Sequence, residues 1–383
     1  MIKRTFWQKS IKSAWKRHSV IWLSGVRRVG KTFLCRDIEG ADYYDCELPS
    51  IREKLANPEK FLNENKGRVI VLDEIHRLSN PSELLKIAAD YYPNIKVIAT
   101  GSSTLGASSK FKDTLTGRKS NVWMTPMIYK DIADFSNISI KYRMLKGGLP
   151  PFFMAKTKNE KDYQDWIDSY WAKDVQELFM VGSRYSFQKF LELLIYNSGG
   201  MFEANKYAIP CEVSRGTISN YLKILEATYV IAVIKPFNSH KSTEIVSAPK
   251  IYVFDTGFIS YYKGWNDLRN ENCGILWEHI ILNEILAISQ RNMAYYWRNK
   301  KHNEIDFVIP LKNKNQIIIE CKWSYSSFDP VNIVVFRKIY PVGDNIVVLH
   351  NIKNEFFKNI NGIKIRFINL KDLENYLLSI YPE

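Results

Sequence analysis

Residues 25–32 read Gly-Val-Arg-Arg-Val-Gly-Lys-Thr, a complete GxxxxGK[ST] string lying between the apolar run Val20–Leu23 and a helical pattern beginning at Phe33-Leu34. No other feature limits the fold as much. Such a loop works where a buried parallel strand turns into a helix, because backbone N–H groups and the positive helix end then converge on an anion. The surrounding chain must supply an α/β sheet sandwiched by helices. Gly25, Val26, Arg27, Arg28, Val29 and Gly30 are expected to wrap phosphates. Lys31 should reach the β and γ oxygens, and the Thr32 hydroxyl should ligate Mg²⁺. The expected cofactors are ATP and Mg²⁺.

About forty residues on, Val69-Ile70-Val71-Leu72 is a continuous apolar run ending in Asp73-Glu74. A strand buried on both faces of a parallel sheet reads this way. At its C-terminal end the first carboxylate can complete the Mg²⁺ shell and the second can polarise the attacking water. Asp73 is thus a metal candidate and Glu74 a catalytic one. A third strand, Ile95–Ala99, ends in Thr100-Gly101-Ser102-Ser103. Ser102 is the expected γ-phosphate sensor, with Thr100 as alternative; a polar helix cap fits the same residues. Arg118 could supply transition-state charge as an arginine finger, or be a solvated surface residue.

A length of 383 residues favours two or three domains, and 46% hydrophobic content describes a packed chain. No apolar stretch nears the ~20 residues needed to cross a bilayer, and the N-terminus lacks a signal-peptide pattern. Five widely spaced cysteines form no CxxC pair, which argues against zinc and disulfide frameworks. A cytoplasmic protein with no membrane partner is expected. Of the net charge of +14, residues 1–130 carry +10, from 23 Lys/Arg against 13 Asp/Glu. Such a field favours polyanions, DNA among them.

The expected domains are a P-loop core (1–130), a helical lid (131–185), a winged helix-turn-helix (186–248) and a C-terminal α/β domain (249–383). Gly147-Gly148-Leu149-Pro150-Pro151 breaks the lid, and 160–198 reads as two amphipathic helices. Phe202–Ala208 predicts a short helix, and Ser214 can cap a second. In that second helix Ile218, Tyr221, Leu222 and Leu225 keep core spacing. Arg215, Gly216, Ser219, Asn220 and Lys223 fall opposite, where a groove-entering helix would present them. A helix used only for packing fits the same pattern. Tyr229–Ile234 predicts a wing strand, and residues 5–17 a helix with Trp7, Ile11, Ala14 and Trp15 on its core face.

In the last third, Glu278 lies on an apolar helical stretch, Asp306 on an alternating strand, and Glu320 and Lys322 two apart on another. A hairpin through 312–316 would place Asp306 beside Glu320, with Lys322 next to both. Carboxylates bind hard divalent ions, and a lysine can position water or stabilise developing charge. Asp306 and Glu320 are candidate ligands for a second Mg²⁺ or Mn²⁺. Glu278, Asp306, Glu320 and Lys322 together form a candidate phosphodiester-cleaving centre.

The motif order resembles prokaryotic AAA+ P-loop ATPases that join an N-terminal ATPase module to a C-terminal domain of unknown function. The resemblance is carried by Gly25–Thr32, Leu72–Ile75, Thr100–Ser103, Leu115–Arg118, Gly147–Pro150, and Glu278 with Asp306 and Glu320–Lys322. It implies that Pro150, in a GxP element, packs near the adenine, and that the C-terminal part is similar to the PD-(D/E)XK nuclease fold. His76 stands where the family often has Gln, and the usual aromatic residue a few positions on is absent. Neither departure is expected to touch the phosphate chemistry. The expected function is ATP hydrolysis, with DNA binding and nucleotide control of a nuclease-like domain. The alternatives are an ATP-driven signalling switch or scaffold with a silent, partner-binding C-terminal domain, and a transcription regulator. A homo-oligomer or a protein partner fits any of these.

Overall fold

The computed structural model describes residues 2–101, 115–135, 139–237, 248–290, 294–311 and 315–381. Its first sheet holds β1 (Val20–Ser24), β2 (Ala41–Asp45), β3 (Val69–Asp73), β4 (Lys96–Thr100) and β5 (Lys119–Trp123), in the order β2-β3-β4-β1-β5. Every pairing is parallel. β1 and β4 are buried almost throughout, as continuous apolar runs in a two-sided parallel sheet should be. Because β4 lies between β1 and β3, the phosphate loop, Thr100 and Asp73 emerge along one sheet edge. Ligands collect at this edge in open α/β sheets.

The N-terminal helix runs Thr5–Ala14, shorter than the predicted 5–17, with Phe6, Trp7, Ile11 and Ala14 buried. It packs beside β5 and the helix Tyr129–Asp134. Some of the basic side chains of this region face inward partners. Arg4 is buried and ion-paired to Asp131, Arg27 pairs with Asp174, and Arg36 lies over the Tyr43 ring. The excess of cations read from the sequence is therefore not all an outward field.

The first of the two helices expected over 160–198 runs Glu160–Tyr170 and continues into a π-helical turn, Trp171–Gln176; the second is Arg184–Tyr196. After them come the short helix Ala204–Ala208 and the helix Arg215–Ala227, whose N-terminus Ser214 caps by accepting from Thr217 N–H. Ile218, Tyr221 and Leu225 are buried, while Arg215, Gly216, Asn220 and Lys223 are exposed, which is the predicted division of faces.

β6 (Ile231–Pro236) and β7 (Lys250–Val253) form an antiparallel hairpin. It does not stand apart, because β6 runs parallel beside β8 (Tyr295–Arg298) and so extends the C-terminal sheet. That sheet continues with β9 (Glu304–Pro310), β10 (Gln316–Lys322), β11 (Asn345–Leu349), β12 (Phe356–Ile360) and β13 (Ile363–Ile368), in the order β12-β13-β11-β10-β9-β8-β6-β7. Helix Asn270–Ser289 lies against it, pinned by buried Trp277, whose Nε1–H donates to the Val348 carbonyl at 3.0 Å. Burying such a side chain is worth about 2–3 kcal/mol. Among the described residues no helix is long and apolar enough to cross a membrane.

One apolar cluster runs through both halves, from Phe6 and Ile21 to Ile346 and Leu377. At a corner of it, Arg143 is fully buried, donating to Met127 O at 3.0 Å and Thr256 Oγ1 at 3.0 Å and lying 4.0 Å from Asp255. Asp255 accepts from Gly148 N–H at 2.5 Å. The Gly-Gly-Leu-Pro break is thus bound to the start of the helix after β7.

Candidate functional site

The phosphate loop leaves β1 through two glycines that no other residue can replace without strain. Gly25 has φ +147, and a Cβ there would stand 2.3 Å from the Met124 carbonyl oxygen; Gly30 has φ +104. Lys31 folds back over the loop, Nζ donating to Gly25 O at 2.8 Å and Val26 O at 3.3 Å. Burial lowers its pKa, opposed by Glu74, Asp174 and Asp73. Arg4 braces the loop from behind, donating to Val29 O at 2.7 Å. Pro150 also reaches this place, its Cγ 3.8 Å from where a Gly30 Cβ would be.

Asp73 collects hydroxyls. Thr32 Oγ1 lies 2.9 Å from Asp73 Oδ2, the same oxygen accepts from Tyr43 OH, and Oδ1 accepts from Thr100 Oγ1. Thr32 and Asp73 are oxygen donors of the kind Mg²⁺ takes, and they lie close enough to share one ion. Thr100 Oγ1 also accepts from Glu74 N–H at 3.2 Å, which ties the two strand ends together. Glu74 sits in the left-handed region at φ +52, a conformation that non-glycine residues hold mostly where the surroundings enforce it. Burial pushes its pKa up, but His76, Lys31 and Arg27 outweigh this and the net shift is downward, so the carboxylate stays charged.

The departure at His76 lies beside the candidate catalytic residue: its Nδ1 is 3.2 Å from Glu74 Oε2. Arg118 lies away from this pocket. It precedes β5, at the sheet edge opposite the phosphate loop, and donates to Asp90 at 2.7 Å. It cannot serve the nucleotide pocket of its own chain. Ser102 lies outside the described residues, while the alternative, Thr100, is the residue bonded to Asp73. A cavity of about 260 Å³ gathers Arg27, Lys31, Thr32, Asp73, Glu74 and His76. It also includes Tyr43 and Asp174, which sequence reasoning missed because neither belongs to a motif.

The C-terminal constellation assembles as the hairpin reading requires. β9 and β10 are antiparallel with Ile319 opposite Phe307, so the next step sets Glu320 against Asp306. Lys322 Nζ is 2.9 Å from Glu320 Oε2 and 3.8 Å from Asp306 Oδ2, while Asp306 Oδ2 also accepts from Cys321 N–H at 2.7 Å. Glu278 accepts from Tyr252 OH at 3.0 Å. Burial, then Asp306, pushes Glu320 up to about 8, and the same causes push Glu278 up to about 7. Lys250 from β7, paired with Glu304, adds a cation that no motif announced. Glu320 Oε1 is buried without a hydrogen-bond partner. Among the described residues, no group of three or more His, Cys, Asp or Glu is arranged to hold a metal ion.

Three family models match successive segments: an AAA domain over 17–133, a domain of unknown function (DUF8612) over 137–269, and another (DUF4143) over 273–370. The chain is 26% identical over 326 residues to an uncharacterized protein of Mycobacterium tuberculosis, covering 82% of this chain and 73% of the relative. It is similar to the Walker-type ATPase PABY2304 of Pyrococcus abyssi, with 16% identity, TM-score 0.46, and coverage of 69% and 96% of the two chains. A Thermotoga maritima RuvB variant has 18% identity, TM-score 0.31, and coverage of 60% and 89%. The segment matched as an AAA domain opens just before β1 and closes within the helix after β5, taking in the phosphate loop, Asp73 and Glu74. Residues 17–133, about a third of the chain, match an AAA domain and carry the phosphate loop.

Proposed function

We propose that this protein hydrolyses ATP and that its nucleotide state governs a DNA-binding, nuclease-like C-terminal half. The observation that carries the first part is the convergence of Lys31, Thr32, Asp73 and Glu74 on one cavity, with Thr100 hydrogen-bonded to Asp73 behind it. Thr32 and Asp73 would hold Mg²⁺, which neutralises phosphate charge when bound. Lys31 leaves the loop carbonyls for the phosphate oxygens. Glu74, kept ionised, accepts a proton from the attacking water, and His76 orients its carboxylate. Thr100 links Asp73 to the Glu74 backbone and so reports on the metal side of the site. The test is ATP turnover by wild type, Lys31→Ala and Glu74→Gln.

The second part rests on weaker support. Arg215, Asn220 and Lys223 form an exposed polar face on the second helix of a helix-turn-helix, with the β6–β7 hairpin as its wing. The unpartnered Glu320 oxygen fits a site completed by a divalent ion on Asp306 and Glu320, with Lys322 beside the scissile phosphate. Arg118 would act only on a neighbouring copy of the chain. A second reading, a switch whose C-terminal domain is catalytically silent and binds a partner, is favoured by one observation: Lys322 already neutralises Glu320, and no three-ligand cluster is found among the described residues. Cleavage of linear, single-stranded and branched DNA with Mg²⁺ or Mn²⁺, beside Lys322→Ala, separates the two.

A further inference from the structure

The lid places a carboxylate inside the phosphate pocket, and no motif accounts for it. Asp174 lies in the π-helical turn Trp171–Gln176, is only 6% exposed, and its Oδ2 is 3.0 Å from Arg27 Nε in the phosphate loop. Lys31 and Glu74 are its other charged neighbours. π-Turns inside helices concentrate at functional sites, because the extra residue re-aims one side chain. Here it aims an acid at the loop that must receive a polyanion. The lid grips the same loop residue a second time, since Trp166 Nε1–H donates to Arg27 O at 3.1 Å.

These contacts are of different kinds. The Trp166 bond is to backbone and is indifferent to ligand charge. The Asp174–Arg27 pair competes directly with phosphate, for at short range in a partly desolvated pocket like charges repel strongly and a guanidinium binds phosphate as readily as carboxylate. A triphosphate entering the pocket would compete with Asp174 for Arg27, whose Nε alone is taken by the carboxylate. Building on the nucleotide-binding reading above, we propose that Asp174 is a lid-borne stand-in for phosphate: it holds Arg27 until ATP displaces it, so that occupancy of the pocket breaks the lid's ion pair with the loop. ADP, with one phosphate fewer, displaces it less completely. Asp174 is therefore a positioning residue that sets nucleotide affinity and couples it to the helix Glu160–Tyr170.

The test uses the full chain and a fluorescent ATP analogue with Mg²⁺. Asp174→Asn, which keeps shape and removes charge, should tighten binding about tenfold for the ATP analogue and less for the ADP analogue. In an Arg27→Ala background the same change should have little effect, since the two side chains act as one unit. Hydrogen exchange over 171–179 in wild type should quicken on adding ATP. Weakened binding in Asp174→Asn would mean that the carboxylate holds the nucleotide or its metal, and would overturn the inference. Unchanged binding, or unchanged exchange, would overturn it too. Failure of wild type itself to bind, with Lys31→Ala indistinguishable from it, would instead overturn the nucleotide reading.

Discussion

Thr32 Oγ1 and Asp73 Oδ2 stand 2.9 Å apart, although Thr32 opens the helix that follows β1 and Asp73 ends β3, two strands separated by β4. This closeness predicts that their contribution to nucleotide binding runs through Mg²⁺. In Asp73→Ala the dissociation constant for ATP should become nearly the same with Mg²⁺ and with EDTA, whereas wild type should bind tighter with the ion. Equal Mg²⁺ enhancement in both proteins would remove Asp73 from the metal shell.

Arg143 and Asp255 tie the lid to the C-terminal half in full burial. Removing one member leaves the other charge without compensation. Arg143→Met should lower the unfolding free energy by about 3–5 kcal/mol, read from urea denaturation. Asp255→Asn should lose less, because its amide oxygen can still accept from Gly148 N–H.

Glu284 and Glu374 face one another between the helix Asn270–Ser289 and the helix Leu370–Ile380, each with one oxygen unpartnered. Burial, then Glu374, raises the Glu284 pKa; burial, with a smaller push from Asp131, brings Glu374 to about 7 against the pull of Lys130. These acids are harder to ionise folded than unfolded. Between about pH 4.5 and 7 the unfolded chain releases protons that the folded chain keeps. Stability should therefore fall as pH rises from about 4.5, through about 7 for Glu374 and further for Glu284. Glu284→Gln should be more stable than wild type at about pH 8, with the difference gone near about pH 4.5. Urea melts at both pH values check this.

At the C-terminal centre, Lys322 neutralises Glu320. Under the proposed nuclease reading, Lys322→Ala should abolish DNA cleavage while leaving ATP turnover within about twofold of wild type, since the two sites share no residue. Loss of both activities would mean that the lysine is structural. Its replacement also leaves buried Glu320 unpaired, so a melting curve must accompany the assay.

The phosphate loop, the acidic strand end and the D…ExK hairpin were legible because each is a local string whose spacing fixes a face or a turn. The exposed face of the helix Arg215–Ala227 was legible for the same reason. Contacts between elements distant in sequence were not. Nothing in a string places Asp174 against Arg27, 147 residues away, or Glu284 beside Glu374. The place of Arg118 is set by the parallel pairing of β5, which puts it at the sheet edge away from the phosphate loop of its own chain. The approach of His76 to Glu74 is a matter of side-chain geometry that no string gives. Internal partners of the basic N-terminus, such as Asp131 for Arg4, lie more than a hundred residues on.

The most direct test of the account is single-turnover and steady-state ATP hydrolysis by wild type and Glu74→Gln, with nucleotide affinity measured on both. The account predicts unchanged or tighter ATP binding in the variant with turnover reduced about 10²-fold or more, the usual scale for a lost general base. Turnover equal to wild type in Glu74→Gln would contradict it and would remove Glu74 from the chemistry.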